Sequence, residues 1–207
     1  MSDELGYEVN KNSPFGWKGF NFVINFPIRY ENLIQRDSSF RELNRKLEYS
    51  IRKTGDEMNR VTNVQANMTN YKTHLSNIHF ETLGNTVIEL CREGMQNKHE
   101  FVVCDMWGAI YKKGDWTKSH QHWPYTWSFT YYVKVSDKTS PLVFKNAVRP
   151  ESFGYPEIMP IQPKVGDLFI WPSIVLHEVP KQEVDEERIM IAGNLHMDYV
   201  ATEKNKL

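Results

Sequence analysis

The sequence predicts a mainly β fold, a sandwich or jelly roll with two helices covering the outer face of one sheet, and three observations predict it. From about Glu100 onward the chain becomes short runs of β-branched and aromatic residues separated by Gly, Pro, Asp and Ser, the pattern of an all-β block. Upstream of that point, two segments carry apolar residues at helical spacing. The whole chain is 207 residues long, which suits one domain with a single core, since domains commonly run to about 100–200 residues.

Taken in order, residues 1–30 are rich in Gly, Asn and aromatics (Phe15, Trp17, Phe20, Phe22, Phe26) and suit an irregular arm or short strands laid over a core. Phe40, Leu43, Leu47 and Ile51 mark one face of a helix between Asp37 and Asp56, with Asp37, Ser38 and Ser39 available as caps and Gly55 as a stop. Leu83, Val87, Leu90 and Cys91 repeat the pattern behind Ser76 and Asn77, so a second helix ends near Gly94. Strands are expected at Phe101–Tyr111, Trp127–Val135, Pro141–Phe144, Asp167–Trp171, Ile174–Val179 and Arg188–His196. The expected organisation is one domain over 1–207: arm and supporting helices at 1–99, the β core with the site at 100–196, and a tail at 197–207.

Charge narrows the function classes. Lys and Arg number 25 against 26 Asp and Glu, which leaves none of the basic footprint that nucleic acid or an anionic membrane requires. A small molecule, or a side chain of a peptide or protein, is the expected substrate. The N-terminus, Met1-Ser2-Asp3-Glu4, is acidic, and nowhere do about 18 uncharged apolar residues run together, so a cytoplasmic location is expected. Cys91 and Cys104 form neither a CxxC pair nor a disulfide framework and are expected to be buried thiols.

Chemistry concentrates in two clusters. In the first, Gly114 to His122, His120 and His122 lie two positions apart and share one face if the strand is extended. Iron(II), nickel and zinc all accept imidazole, and a mononuclear oxygenase needs its protein ligands on one side of the metal. In the second, Pro163 to Pro172 leads into His177-Glu178-Val179-Pro180 and then Arg188 to Asn194. The offset from His177 to Arg188 allows a hairpin that brings the guanidinium near a metal. A dicarboxylate could bridge the two, because arginine's planar fork grips a carboxylate through two hydrogen bonds and stays charged when buried. The bland alternative for Arg188 is a surface ion pair with Asp185, Glu186 or Glu187.

Together these residues resemble the iron(II)- and 2-oxoglutarate-dependent oxygenases, particularly the prolyl-hydroxylase-like branch with its short bacterial and phage members. The resemblance covers roughly Phe101 to Asn194 and implies a double-stranded β-helix of cupin-like, jelly-roll type. His120-Gln121-His122 is similar to the family's HxD motif, and His177 with Arg188 to its distal histidine and carboxylate-binding arginine. Tyr132, in Tyr131-Tyr132-Val133, is similar to the residue that helps hold the far carboxylate, and Tyr111 to one lining the same pocket. The resemblance implies Fe(II) on His120, His122 and His177, with 2-oxoglutarate and O2 as co-substrates. It further implies that 2-oxoglutarate is held by Arg188, Tyr132 and Tyr111, with Asn194 contacting it or a strand neighbour. The expected reaction is hydroxylation with release of succinate and CO2.

One departure stands out: His122 occupies the position usually filled by Asp or Glu, which leaves the site one negative charge short. Asp115 is a weaker substitute because its offset breaks strand parity with His120. A 2-oxoglutarate-independent three-histidine dioxygenase of cupin type is a second reading, and a non-catalytic jelly-roll binding protein a third. His74, His79, His99 and His196 are expected to be structural or surface residues, and Trp107, Trp127 and Trp171 to pack in or against sheets. Trp116 and Trp123 bracket the HxH pair and either line a substrate opening or fold over the barrel mouth.

Overall fold

The computed structural model describes residues 27–54, 58–59, 63–96, 99–145 and 158–198. The aromatic arm residues Phe15, Trp17, Phe20, Phe22 and Phe26, and most of the 197–207 tail, lie outside the described residues. In chain order the elements are β1 (Arg29–Asn32), α1 (Leu33–Arg36), α2 (Phe40–Thr54), β2 (Met58–Asn59), β3 (Val64–Gln65), β4 (Asn67–Met68), a 3-10 turn (Thr73–Leu75), α3 (Ile78–Gly94) and β5 (Glu100–Tyr111). They continue with β6 (Trp116–His120), β7 (Trp127–Lys134), β8 (Leu142–Lys145), β9 (Ile158–Ile161), β10 (Asp167–Pro172), β11 (Leu176–Val179) and β12 (Arg188–Asp198). The strands form two antiparallel sheets, ordered β1-β10-β7-β12-β5-β4-β2 and β3-β6-β11-β8-β9. No helix among the described residues is long and apolar enough to cross a membrane.

Both expected helices are present. Asp37 accepts from the Ser39 backbone N–H ahead of α2, and the Asn77 side chain accepts from His79 and Phe80 to cap α3. Such caps satisfy amide donors that have no partner within the helix. Alternation along the large sheet divides its residues between two cores. Met106, Ile110, Phe129, Tyr131, Val133, Ile189 and Ile191 face the helices, where Leu47, Ile51, Phe80, Leu83 and Val87 cover them. Trp107, Ala109, Tyr111, Tyr132, Phe169, Trp171, Met190 and Ala192 face the smaller sheet, against Leu142, Phe144, Val175 and Val179. Gly108 shows how closely α2 approaches: a Cβ there would lie 2.5 Å from Ile51 Cγ1.

Three expectations about the fold are corrected. The sheets begin well before residue 100, because β1 pairs with β10 and β4 with β5; two- to four-residue strands carry too little periodicity to be read. Strand β9 was not anticipated, its Ile-Met-Pro-Ile run being an edge strand exposed at three of four positions that tolerates Pro160. Cys91 is buried as expected, but Cys104 is only half-buried, because it lies near the β5 end, where one strand face opens to solvent.

Candidate metal centre and co-substrate pocket

Strands β6 and β11 are antiparallel neighbours, with His120 directly opposite His177. Strand β6 ends at His120, so His122 owes its position to a contact rather than to strand parity: its backbone N–H donates to Ser173 O at 2.8 Å, fixing the loop against the turn before β11. The three imidazoles converge. His120 Nε2 and His122 Nε2 are 3.1 Å apart, the rings of His120 and His177 are centred 4.3 Å apart, and one ring nitrogen from each of the three lies within 4.8 Å of the other two. Among the described residues no carboxylate joins this group. Asp115 is buried in the turn before β6, where its Oδ2 accepts from the Lys112 N–H.

The three histidines are held as neutral imidazoles, the form in which histidine can bind a metal. His120 Nδ1 lies 2.7 Å from Lys118 O and His177 Nδ1 lies 3.0 Å from Val175 O. Each carbonyl accepts an Nδ1–H, which leaves the Nε2 lone pair directed away from the backbone. Burial lowers the pKa of all three rings; mutual repulsion adds to the effect at His122, lowered to about 4, and at His177. Trp171 and Phe144 pack against His177, with ring centroids at 5.0 and 6.5 Å, and close that side to water.

Arg188 stands on the facing sheet. The expected hairpin from His177 does not form: β11 belongs to the smaller sheet and β12 to the larger, and the segment between them crosses from one to the other. Gln182 pins that crossing through Asp115 O, Ser140 N and Glu186 O. Arg188 is 0% exposed, which excludes the surface ion pair. Its acidic neighbours pair elsewhere, Glu187 with Arg52 and Lys134, Asp185 with Lys113, and Glu186 with Lys138. Within the barrel Arg188 Nε donates to Ser140 O at 3.1 Å and Nη2 to the Tyr132 hydroxyl at 3.3 Å. Its guanidinium lies over the rings of Tyr111 and Tyr132, at 4.9 and 5.1 Å. Burial raises the pKa of both phenols, so both remain protonated donors. Arg188 Nη1 is buried with no hydrogen-bond partner among the described residues.

A chamber of about 410 Å³ opens beside His120 and His122, lined also by Asp105, Trp107, Tyr125 and Asn194. Asn194 stands six positions from Arg188 on β12, roughly 20 Å at strand rise, and lies in the lining of the chamber rather than at the Arg188 end. There Asn194 Oδ1 accepts from the Ser128 hydroxyl on the adjacent strand at 2.9 Å. Of the two tryptophans bracketing the HxH pair, Trp123 is 72% exposed and Trp116 half-buried; neither lines the chamber. Asp105, Tyr71 and Tyr125 were not anticipated in the site. Asp105 was legible in principle, since it keeps strand parity with Tyr111 and must face the same way; Tyr71 and Tyr125 lie on loops without periodicity.

On this double-stranded β-helix three imidazoles converge at the edge of one sheet, close enough to share a metal ion, and a buried guanidinium with no acidic partner among the described residues stands on the other. Residues 105–194, a little under half of the chain, match the family model described as "Putative 2OG-Fe(II) oxygenase", a family of enzymes that use iron(II) and 2-oxoglutarate. Similar solved structures include a Pseudomonas putida prolyl-4-hydroxylase, at 14% identity and TM-score 0.60 over 83% of this chain and 92% of that one. The viral collagen prolyl hydroxylase of Paramecium bursaria Chlorella virus-1, in complex with 2OG, aligns at 10% identity and TM-score 0.57 over 81% and 94%. HygX from Streptomyces hygroscopicus, with nickel, 2-oxoglutarate and hygromycin B bound, aligns at 8% identity and TM-score 0.60 over 84% of both chains. At these identities the likeness is one of fold. No curated protein matches the chain in sequence.

Proposed function

We propose that this protein is an iron(II)- and 2-oxoglutarate-dependent oxygenase that hydroxylates an organic substrate and releases succinate and CO2. His120, His122 and His177 are its iron ligands, and Arg188 with Tyr132 anchors the far carboxylate of 2-oxoglutarate. The observation that carries this reading is Arg188: a fully buried guanidinium whose Nη1 has no hydrogen-bond partner and which makes no ion pair with an acid among the described residues. Burying a charge without a counter-ion is costly, and a carboxylate arriving at Nη1 and Nη2 supplies both the missing charge and the missing acceptor. The donor set at the metal site fits as well, since three neutral imidazoles whose nitrogens lie within 4.8 Å of one another can share one divalent ion.

Iron(II) with 2-oxoglutarate bound supplies the oxidation, using O2 to place an oxygen atom on a C–H bond. The chain's own residues hold and orient. Lys118 O and Val175 O fix the tautomers of His120 and His177, and the Tyr132 hydroxyl, held by Arg188 Nη2, keeps its proton to donate to a carboxylate. Phe144 and Trp171 keep water from the His177 side, and the chamber beside His120 and His122 leaves room for substrate. A three-histidine dioxygenase that needs no 2-oxoglutarate has no use for Arg188 and Tyr132, so they speak against that reading. The test is to add iron(II) and 2-oxoglutarate without oxygen and record the visible charge-transfer band of the chelate, then to aerate and measure succinate. His177→Ala is expected to abolish both signals. No band and no succinate from the wild type refutes the proposal.

A further inference from the structure

The chamber beside His120 and His122 has a lining that selects by chemistry. We infer that it takes a compact ring bearing hydroxyl or amino groups, of the monosaccharide or aminocyclitol class, and that Asp105 with Asn194 is its polar anchor. The inference rests on the oxygenase reading above, and it names the substrate class.

Asp105 and Asn194 are directly opposed on β5 and β12. The Asp105 carboxylate is held from two sides, by Lys72 Nζ at 2.9 Å on Oδ1 and by the Tyr125 hydroxyl on Oδ2. A carboxylate has about four acceptor positions, so two remain on a group whose orientation is already fixed. Asn194 spends its carbonyl oxygen on Ser128, which leaves its amide to donate. An acceptor and a donor side by side suit a hydroxyl group, which both donates and accepts; an amine meets the acceptor alone.

The rest of the lining agrees. Tyr71 and Trp107 stand edge to face with centroids 5.0 Å apart, forming a corner against which the C–H face of a ring can pack. Asn63 and Gln121 add amides, and Val64 is the sole aliphatic residue among the described residues of the lining. An aliphatic chain placed here would strand these polar groups without partners. A polyanion would meet Asp105, whose charge Lys72 only offsets. The volume, about 410 Å³, sits at the small end of the range of about 300–1,000 Å³ typical of small-molecule sites and suits a ring rather than a polymer segment.

The test offers D-glucosamine, N-acetyl-D-glucosamine and myo-inositol to the full chain, with the tripeptide Gly-Pro-Gly and octanoate as rivals. With iron(II), 2-oxoglutarate and oxygen, at least one of the three ring compounds is expected to raise succinate release about tenfold above the rate without substrate. Asp105→Asn and Tyr71→Ala are each expected to raise its half-saturating concentration more than tenfold. Saturation-transfer NMR on the metal-free chain reads binding independently: ring protons receive transfer in the wild type and lose it in Asp105→Asn, with circular dichroism confirming that the variant is folded. If the anaerobic chelate band forms but no ring compound binds or stimulates, or if Gly-Pro-Gly or octanoate stimulates instead, the inference fails while the oxygenase reading stands. If no band forms, the oxygenase reading fails, and the NMR result alone decides for or against the ring site.

Discussion

Replacing Arg188 by Met tests whether this guanidinium is kept for a ligand rather than for stability. Arg188 is fully buried and, among the described residues, has no hydrogen-bond partner at Nη1 and no acidic partner. Exchanging buried ionic groups for apolar side chains of similar volume gains about 1–4 kcal/mol in favourable cases. Against this stand the hydrogen bonds to Ser140 O and to the Tyr132 hydroxyl, worth about 1 kcal/mol each, and the stacking on Tyr111 and Tyr132, worth about 1 kcal/mol. The balance is near zero, so the melting temperature is expected to stay within roughly 2–4 °C of the wild type for a chain this size. The same change removes a two-pronged, charge-assisted grip on a carboxylate worth about 3 kcal/mol, so 2-oxoglutarate binds roughly 100-fold more weakly. Scanning calorimetry of the metal-free protein and titration of 2-oxoglutarate into the cobalt-loaded protein measure the two effects. A variant that melts well below the wild type and still binds 2-oxoglutarate within threefold of it refutes the reasoning.

Three further outcomes follow from the packing and charge. Leu47→Ala, which truncates a fully buried contact between α2 and the large sheet, is expected to cost about 2–5 kcal/mol, read as a lower urea midpoint with succinate release retained below the transition. Gly193→Ala places a Cβ 2.6 Å from Asp105 O and 2.5 Å from Phe129 Cε1; it is expected to destabilise by about 1–3 kcal/mol, and an unchanged urea midpoint counts against the close strand approach. Hydrogen bonding from Arg52 lowers the Glu187 pKa in the folded state. Its contribution, under about 1 kcal/mol, is therefore present above the ordinary carboxylate value near 4.5 and is lost as pH falls through the folded-state pKa. Glu187→Gln is expected to flatten the acid limb of the melting-temperature profile by lowering the pH 7 plateau by that same contribution, under about 1 kcal/mol, while leaving the acid end unchanged.

The sequence determined much of this molecule by itself. The α3 cap at Asn77, the face of α2 and the six expected strands follow from periodicity and capping, because these are local properties with a fixed geometric repeat. The two histidine motifs and Arg188 were legible for the same reason and through family likeness. Tertiary structure alone decided how they meet. Strand parity cannot place His122, which lies beyond the end of β6 and is brought to the cluster by Ser173 O from a distant turn. Spacing suggested that His177 and Arg188 sit on one hairpin, whereas the chain crosses between sheets so that they stand on different sheets. Whether Arg188 would be paired also lay beyond the sequence, since three acids precede it and all of them turn outward to Lys or Arg side chains. The chamber beside His120 and His122 was the least visible part, because Tyr71 and Tyr125 reach it from loops, and loops carry no repeat from which a direction can be read.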